Sequence, residues 1–235
     1  SLIKKRRRKR RMKTMTKQER LEKEKERFNS MKEFDIQQAE EFSAGRDAVC
    51  IGGIDEAGRG PLAGPVVAAC VVPGEDFDII GINDSKKLSA RKREELFEQI
   101  TSKALAYGVG MADNDIIDEI NILNATKKAM AEAAAGAEKM LGRPIELLLI
   151  DAVILDNTDT PHRAIIKGDA SSLAIAAASV IAKVTRDRLM ERYDKEYPGY
   201  GFAGHKGYGT AAHYKAIASL GITPIHRKTF LKNVL

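Results

Sequence analysis

The chain has 235 residues, 43% hydrophobic and 6% aromatic with no Trp, which excludes a disordered polymer and a ring-stacked core and leaves one Ala/Val/Ile/Leu-rich domain plus an appendage. The net charge of +6 divides unevenly: residues 1–27 carry 14 Lys or Arg against 4 Glu, while the remaining 208 residues hold 25 basic and 29 acidic groups. Basic character therefore says nothing about the folded part, and no run reaches the ~18 apolar residues of a membrane span.

Residues 4–11 are an unbroken basic run, which repels itself and is expected to lack structure when free. Thr16-Lys17-Gln18-Glu19 reads as a capping box, followed by a Lys/Glu-rich helix to about Phe42 with a thin apolar stripe of Leu21, Phe28, Met31 and Phe34. Composition changes at Ser43-Ala44-Gly45, so residues 1–45 are read as a basic tail and charged helix, and residues 46–235 as the main domain. Buried strands are predicted at 49–54 and 65–72, on either side of a turn dense in Gly and Pro. Cys50 and Cys70 lie on these separate apolar stretches without metal-ligand spacing, and no apolar secretory stretch follows the basic start. They are expected to be buried reduced thiols in a cytoplasmic protein.

Ser89 is read as the cap of a helix over 91–105, followed by a short strand at 107–111 and one or two helices over 113–141. Residues 145–150 form a continuous apolar strand that ends abruptly on Asp151. A further strand is predicted at 164–167, then a long helix over 172–197 whose first half is nearly all Ala, Ile and Val. A helix over 210–220 lies in a helical C-terminal extension, 198–235. Strands alternating with helices indicate an α/β layered domain.

Four acids stand where acids are expensive. Asp55 and Glu56 follow the first apolar strand, Asp151 ends the most hydrophobic one, and Asp169 precedes the Ala-rich helix. Strand ends in α/β sheets are where ligand sites gather. Clustered carboxylates repel one another, and a divalent cation is the economical means of keeping them ionised. All-oxygen donors select Mg²⁺ or Mn²⁺. Singly, each acid has an ordinary reading: Asp169 as a helix cap, Asp151 as a strand-end turn residue, Asp55 and Glu56 as a surface pair. Neighbours on a regular strand face opposite ways, so Asp55 and Glu56 share a site only if the strand breaks there.

The surrounding sequence narrows the choice. Gly53-Ile54-Asp55-Glu56-Ala57-Gly58-Arg59-Gly60-Pro61-Leu62-Ala63-Gly64-Pro65 resembles the first signature of bacterial ribonuclease HII, and Asp84-Ser85-Lys86-Lys87-Leu88 resembles the second. Lys167-Gly168-Asp169, continued from Ala176 to Asp187, resembles the third, and His205-Lys206-Gly207-Tyr208-Gly209-Thr210 the fourth. The resemblance covers roughly 49–231, and the Arg-Gly-Pro after Gly58 favours this family over its sister, ribonuclease HIII.

It implies a ribonuclease H-like fold with a mixed central sheet flanked by helices. It also implies an endoribonuclease that cuts the RNA strand of RNA/DNA hybrids and cuts 5′ of a ribonucleotide embedded in duplex DNA. The products would carry 3′-hydroxyl and 5′-phosphate ends, and the role would be ribonucleotide removal in DNA replication and repair. Asp55, Glu56, Asp151 and Asp169 match the catalytic carboxylates that bind two Mg²⁺ or Mn²⁺ ions with substrate. Gly58, Arg59 and Gly60 match the loop whose main chain reads the 2′-hydroxyl, and Tyr208 matches the ring that packs on the adjacent sugar. Lys86 and Lys183 are candidate phosphate contacts; for Lys183 the competing reading is a helix pair with Asp187. The protein is expected to act as a monomer, away from membranes.

Two other function classes remain to be separated: a general DNA nuclease or strand-transfer enzyme on the same fold, and a non-catalytic binder using the basic tail. The 58–60 loop with Tyr208 opposes the first, because ribose reading is of no use to it. Retention of four acids opposes the second, because negative charge facing phosphate does nothing for a pure binder. The spacing Gly53-x4-Gly58 also begins like a phosphate-binding loop, but Arg59 replaces its Lys and two acids sit inside it. The histidines (His162, His205, His213, His226) are scattered, and no histidine base is required where metals activate water.

Overall fold

The computed structural model describes residues 16–44, 49–156 and 158–232; the basic run at 4–11 and the expected boundary at 45–46 lie outside them. Thr16 opens helix α1 (Lys17–Ser43): its hydroxyl accepts from the Glu19 N–H at 3.1 Å, and the Glu19 carboxylate accepts from the Thr16 N–H at 2.7 Å. Met31 is buried, but Leu21, expected in the same stripe, is 46% exposed. Much of the docking is polar: Asp35 Oδ2 accepts from the Ala174 N–H at 2.9 Å, and Gln38 and Glu41 accept from Arg163 Nη1 at 2.8 and 2.9 Å.

Five strands among the described residues form one mixed sheet: β1 (Ile51–Ala57), β2 (Val66–Val72), β3 (Ala106–Ala112), β4 (Leu147–Asp151) and β5 (His162–Ile165), in the order β3-β2-β1-β4-β5. β2 is antiparallel to both neighbours, whereas β4 and β5 extend the sheet in parallel from β1. The helices are α2 (Ala90–Lys103), α3 (Asn114–Leu141), α4 (Gly168–Ser171), α5 (Leu173–Glu196), α6 (Phe202–His205) and α7 (Ala211–Leu220). Every residue of β2 is buried, and strand alternation sends Ala68, Cys70 and Val72 toward the core under α3, and Ala69 and Val71 toward the core under α2 and α5. The Ala-rich half of α5 is buried all round, and it lies against β1 at a glycine: a Cβ on Gly53 would stand 2.1 Å from the Ala174 carbonyl carbon. Cys50 and Cys70 are buried and free. No helix of the described residues is long and apolar enough to cross a membrane.

The bounds of β1 and β5 depart from those expected. β1 does not stop at Ile54 but pairs with β2 through Ala57, so the chain leaves the sheet after both acids and not between them. β5 lies two residues earlier than predicted, because Ile166 is 82% exposed and Arg163 is drawn to α1 instead. The 113–141 stretch, expected as one or two helices, is one helix interrupted at Asn121, whose φ of 66° and ψ of 165° break the helical path.

Candidate active site

The last paired residues of β1 and β4 are Ile54 and Ile150, so Asp55 and Asp151 are the next residues out on two adjacent parallel strands. Asp55 is buried; one oxygen accepts from the Glu56 N–H at 2.7 Å, and Ser179 of α5 hydrogen-bonds the same carboxylate. Asp151 Oδ1 accepts from the Gly168 N–H at 2.7 Å, which fastens the end of β4 to the start of α4 and brings Asp169 alongside. The cap of α5 is Ser172, whose hydroxyl accepts from the Ile175 N–H at 3.2 Å, so Asp169 is not needed for that task.

Electrostatics ties the four acids together. Burial first, then Glu56 and Asp151, holds the Asp55 carboxyl well above the usual carboxylate range. Burial also raises Glu56, with Arg59 pulling down and Asp151 pushing up. Asp169 is raised by burial, Asp84 and Asp151, partly offset by Lys86 and Lys87. The Lys86 ammonium lies in the field of Asp55, Asp84, Asp169 and Asp151, which outweighs its partial burial and raises its pKa. Lys86 is placed there by the second motif: Asp84 caps the short 3₁₀ helix Ser85–Lys87, and the Ser85 and Ser179 hydroxyls hydrogen-bond to each other at 2.8 Å. Lys183 is engaged elsewhere, donating to Asp187 at 2.6 Å as the helix-pair reading expects.

Among the described residues, no three His, Cys, Asp or Glu side chains close into a ready-made metal cage. The reason is visible in their partners: one oxygen each of Asp55 and Asp151 is turned onto a backbone N–H, and Glu56 Oε1 lies 3.5 Å from Arg59. Glu56 Oε2, however, is buried with no hydrogen-bond partner. A buried carboxylate oxygen without a donor is unfavourable unless a cation meets it, so the donor set fits a hard divalent ion.

The adjoining loop is held from beneath by two buried arginines, for which the sequence reading assigned no role. Arg227 donates to the carbonyls of Gly58 at 2.6 Å, Arg59 at 2.9 Å and Gly64 at 2.8 and 2.9 Å. Arg186 donates to Pro65 at 2.9 Å, Ala63 at 3.1 Å and Lys206 at 2.9 Å. Burial lowers both guanidinium groups, to about 10 for Arg186 and about 9 for Arg227, which still leaves them charged at neutral pH. With its carbonyls turned down, the loop keeps the N–H groups of Arg59 and Gly60 without an acceptor among the described residues. Gly58 has φ of +98°, and a Cβ there would stand 2.0 Å from Arg186 Nε, so only glycine fits over the guanidinium. A Cβ on Gly60 would be 3.6 Å from Cε1 of Tyr208, whose ring is 45% exposed. The first and fourth motifs therefore meet at Gly60, next to the acids.

The family model described as ribonuclease HII matches residues 52–233. The chain is 58% identical over 185 residues to ribonuclease HII of Clostridioides difficile (strain 630), covering 79% of this chain and 71% of that protein. It is 53% identical over 209 residues to ribonuclease HII of Enterococcus faecalis (strain ATCC 700802 / V583), covering 89% and 78%. Among solved structures, the RNase HII in a complex with PCNA from Archaeoglobus fulgidus superposes with a TM-score of 0.64 at 29% identity, over 78% of this chain and 96% of that one.

Proposed function

The chain belongs to the ribonuclease HII family of endoribonucleases, with ribonuclease H activity on RNA/DNA hybrids, and from that premise we propose that it also cuts duplex DNA 5′ of a single embedded ribonucleotide. The observation that carries the placement of the chemistry is the buried, unpartnered Glu56 oxygen among Asp55 and Asp151, beside the 58–60 loop. Asp55, Glu56, Asp151 and Asp169 are the residues that would hold Mg²⁺ or Mn²⁺, two ions when substrate is bound. Ions held there would supply activation of water and charge neutralisation at the leaving 3′ oxygen, a chemistry that would give 3′-hydroxyl and 5′-phosphate ends.

The chain's own groups do the rest. The Arg59 and Gly60 N–H groups point away from their fastened carbonyls and suit the 2′-hydroxyl, the group that separates RNA from DNA. The Tyr208 ring, beside Gly60, packs on the neighbouring sugar. Lys86 balances the carboxylates and meets the phosphate. Lys183, committed to Asp187, is the weaker phosphate candidate. This chemistry suits a monomeric cytoplasmic enzyme that removes ribonucleotides during replication and repair.

Cleavage of three duplexes with and without chelator tests the reading. One should be all-DNA, one should carry a single ribonucleotide and one should be a continuous hybrid. Metal-dependent cutting of the latter two alone is expected; cutting of all-DNA duplex would make it a general nuclease, and binding without turnover a pure binder. The tail is a separate matter. Residues 1–13 carry 9 Lys and Arg, and deleting them is expected to weaken substrate binding and flatten its salt dependence, because phosphate-contacting cations release counterions. Cut position and saturated turnover should not change. Equal salt slopes for full-length and truncated chains would leave the tail no part in binding.

A further inference from the structure

Three of the four histidines that look scattered in sequence, His205, His213 and His226, converge behind Tyr208. His213 in α7 and His226 are both fully buried, with their Nε2 atoms 3.0 Å apart. The hydrogen-bond partners at the outer ends fix the tautomers. His226 Nδ1 accepts from the Thr223 N–H at 2.8 Å, so the proton of the neutral ring is on Nε2, and it is donated to His213 Nε2. His213 must then carry its proton on Nδ1, and it donates to the Tyr208 carbonyl at 3.0 Å. Burial, then its histidine neighbour, pushes His226 down to about 4, and burial lowers His213 as well, so both rings are neutral at neutral pH. His205 stacks on His213 at 4.4 Å, and the edge of Phe202 closes the other contact.

The far end of this chain of bonds reaches the other half of the sugar-reading site. His226 precedes Arg227, whose guanidinium fastens the carbonyls of Gly58 and Arg59. The same segment is sewn to the loop by its backbone, Gly64 N–H to Ile225 at 2.9 Å and Arg227 N–H to Leu62 at 2.8 Å. The Tyr208 side chain is exposed, and its peptide is held by His205, Thr210 and His213.

We propose that His213 and His226 are positioning residues for ribonucleotide recognition: their shared hydrogen bond ties the Tyr208 peptide to the backbone that holds the 58–60 loop, and so sets the distance between ring and loop. This rests on the reading of Tyr208 as the ring that packs beside the ribonucleotide. A long hybrid offers many equivalent registers and tolerates a shifted ring; a single embedded ribonucleotide does not.

The test uses the full chain and compares kcat/KM on a duplex with one embedded ribonucleotide and on a continuous RNA/DNA hybrid. His213→Leu, which removes one of the two donors to the Tyr208 carbonyl and leaves the Thr210 N–H, is expected to lower the first about 10-fold more than the second, the scale of one buried hydrogen bond. His213→Asn places an amide N–H where Nδ1 stands and should restore most of the discrimination. A purely structural role would lower both substrates in parallel, and that result overturns the proposal. Tyr208→Ala measured alongside separates the two ways of failing. If it changes the substrate ratio and His213→Leu does not, only the histidine proposal falls; if neither changes it, the reading of Tyr208 falls too. Nitrogen-15 spectra of the unaltered protein give an answer even where a variant does not fold: His213 must carry its proton on Nδ1 and His226 on Nε2, and the reverse assignment rules the linkage out.

Discussion

Replacing any one of Asp55, Glu56, Asp151 or Asp169 by its amide is expected to cut turnover at saturating Mg²⁺ or Mn²⁺ at least ~100-fold, the scale of losing part of a two-metal clamp. The fold should survive, because these side chains sit at strand ends and at a helix start outside the apolar clusters of the described residues. Stability in chelator gives a second readout with its own sign. Burial and the repulsion from Glu56 and Asp151 raise the Asp55 carboxyl in the folded chain above its value in the unfolded one. Its ionised form is therefore a penalty on folding, present at neutral pH and relieved as pH falls through the folded pKa. Asp55→Asn removes that penalty, so its thermal midpoint without metal should rise at neutral pH and match the parent in acid. Asp169 is the discriminating member, since of the other three acids it is Asp151 whose charge raises its carboxyl. Near-normal turnover in Asp169→Asn would remove it from the site.

Much of this arrangement was legible because it is local. The apolar run into Asp151 marked a strand buried on both faces, and its pairing with β1 ends at Ile54 and Ile150, which places Asp55 and Asp151 side by side. What stayed hidden was decided at long range. β1 continues through Asp55 and Glu56 because β2 pairs with it as far as Ala57, and no feature of residues 51–57 announces that partner. Neighbours on a regular strand face opposite ways, so both acids can share a site only if that alternation is relieved. The structure meets that condition: the Asp55 carboxylate turns back onto the Glu56 N–H, and β4 ends level with Asp55, which leaves Glu56 beyond its edge. The loop arginines were equally out of reach. Arg227 stands in His226-Arg227-Lys228, which reads as surface charge, yet its acceptors are 163 to 169 residues away. Arg186 lay inside a recognised motif, but its partners are backbone carbonyls, which no side-chain pattern reveals.

Tyr208→Ala is expected to damage cleavage at a single embedded ribonucleotide more than cleavage within continuous RNA. One ribonucleotide in duplex DNA offers a single 2′-hydroxyl, so correct placement requires sensing the deoxyribose next to it. An aromatic ring packs well on a sugar without a 2′-oxygen and poorly on one that has it. Tyr208 is 45% exposed, its ring adjoins Gly60, and its peptide is fixed by His205, Thr210 and His213. Removing the ring leaves that backbone intact, so the loss should be one of packing and not of folding. Aromatic packing in other nucleic-acid sites is worth ~1–3 kcal/mol, or roughly 5- to 150-fold in kcat/KM on the embedded ribonucleotide. Continuous RNA presents many equivalent registers, and the Arg59 and Gly60 N–H groups can meet a 2′-hydroxyl in each without help from the ring. Parallel losses on both substrates would make Tyr208 a general binding or catalytic residue. No loss on either would reduce residues 205–210 to a structural turn, and the 58–60 loop alone would then have to tell a lone ribonucleotide from a run of them, which backbone N–H groups reading one hydroxyl at a time have no means of doing.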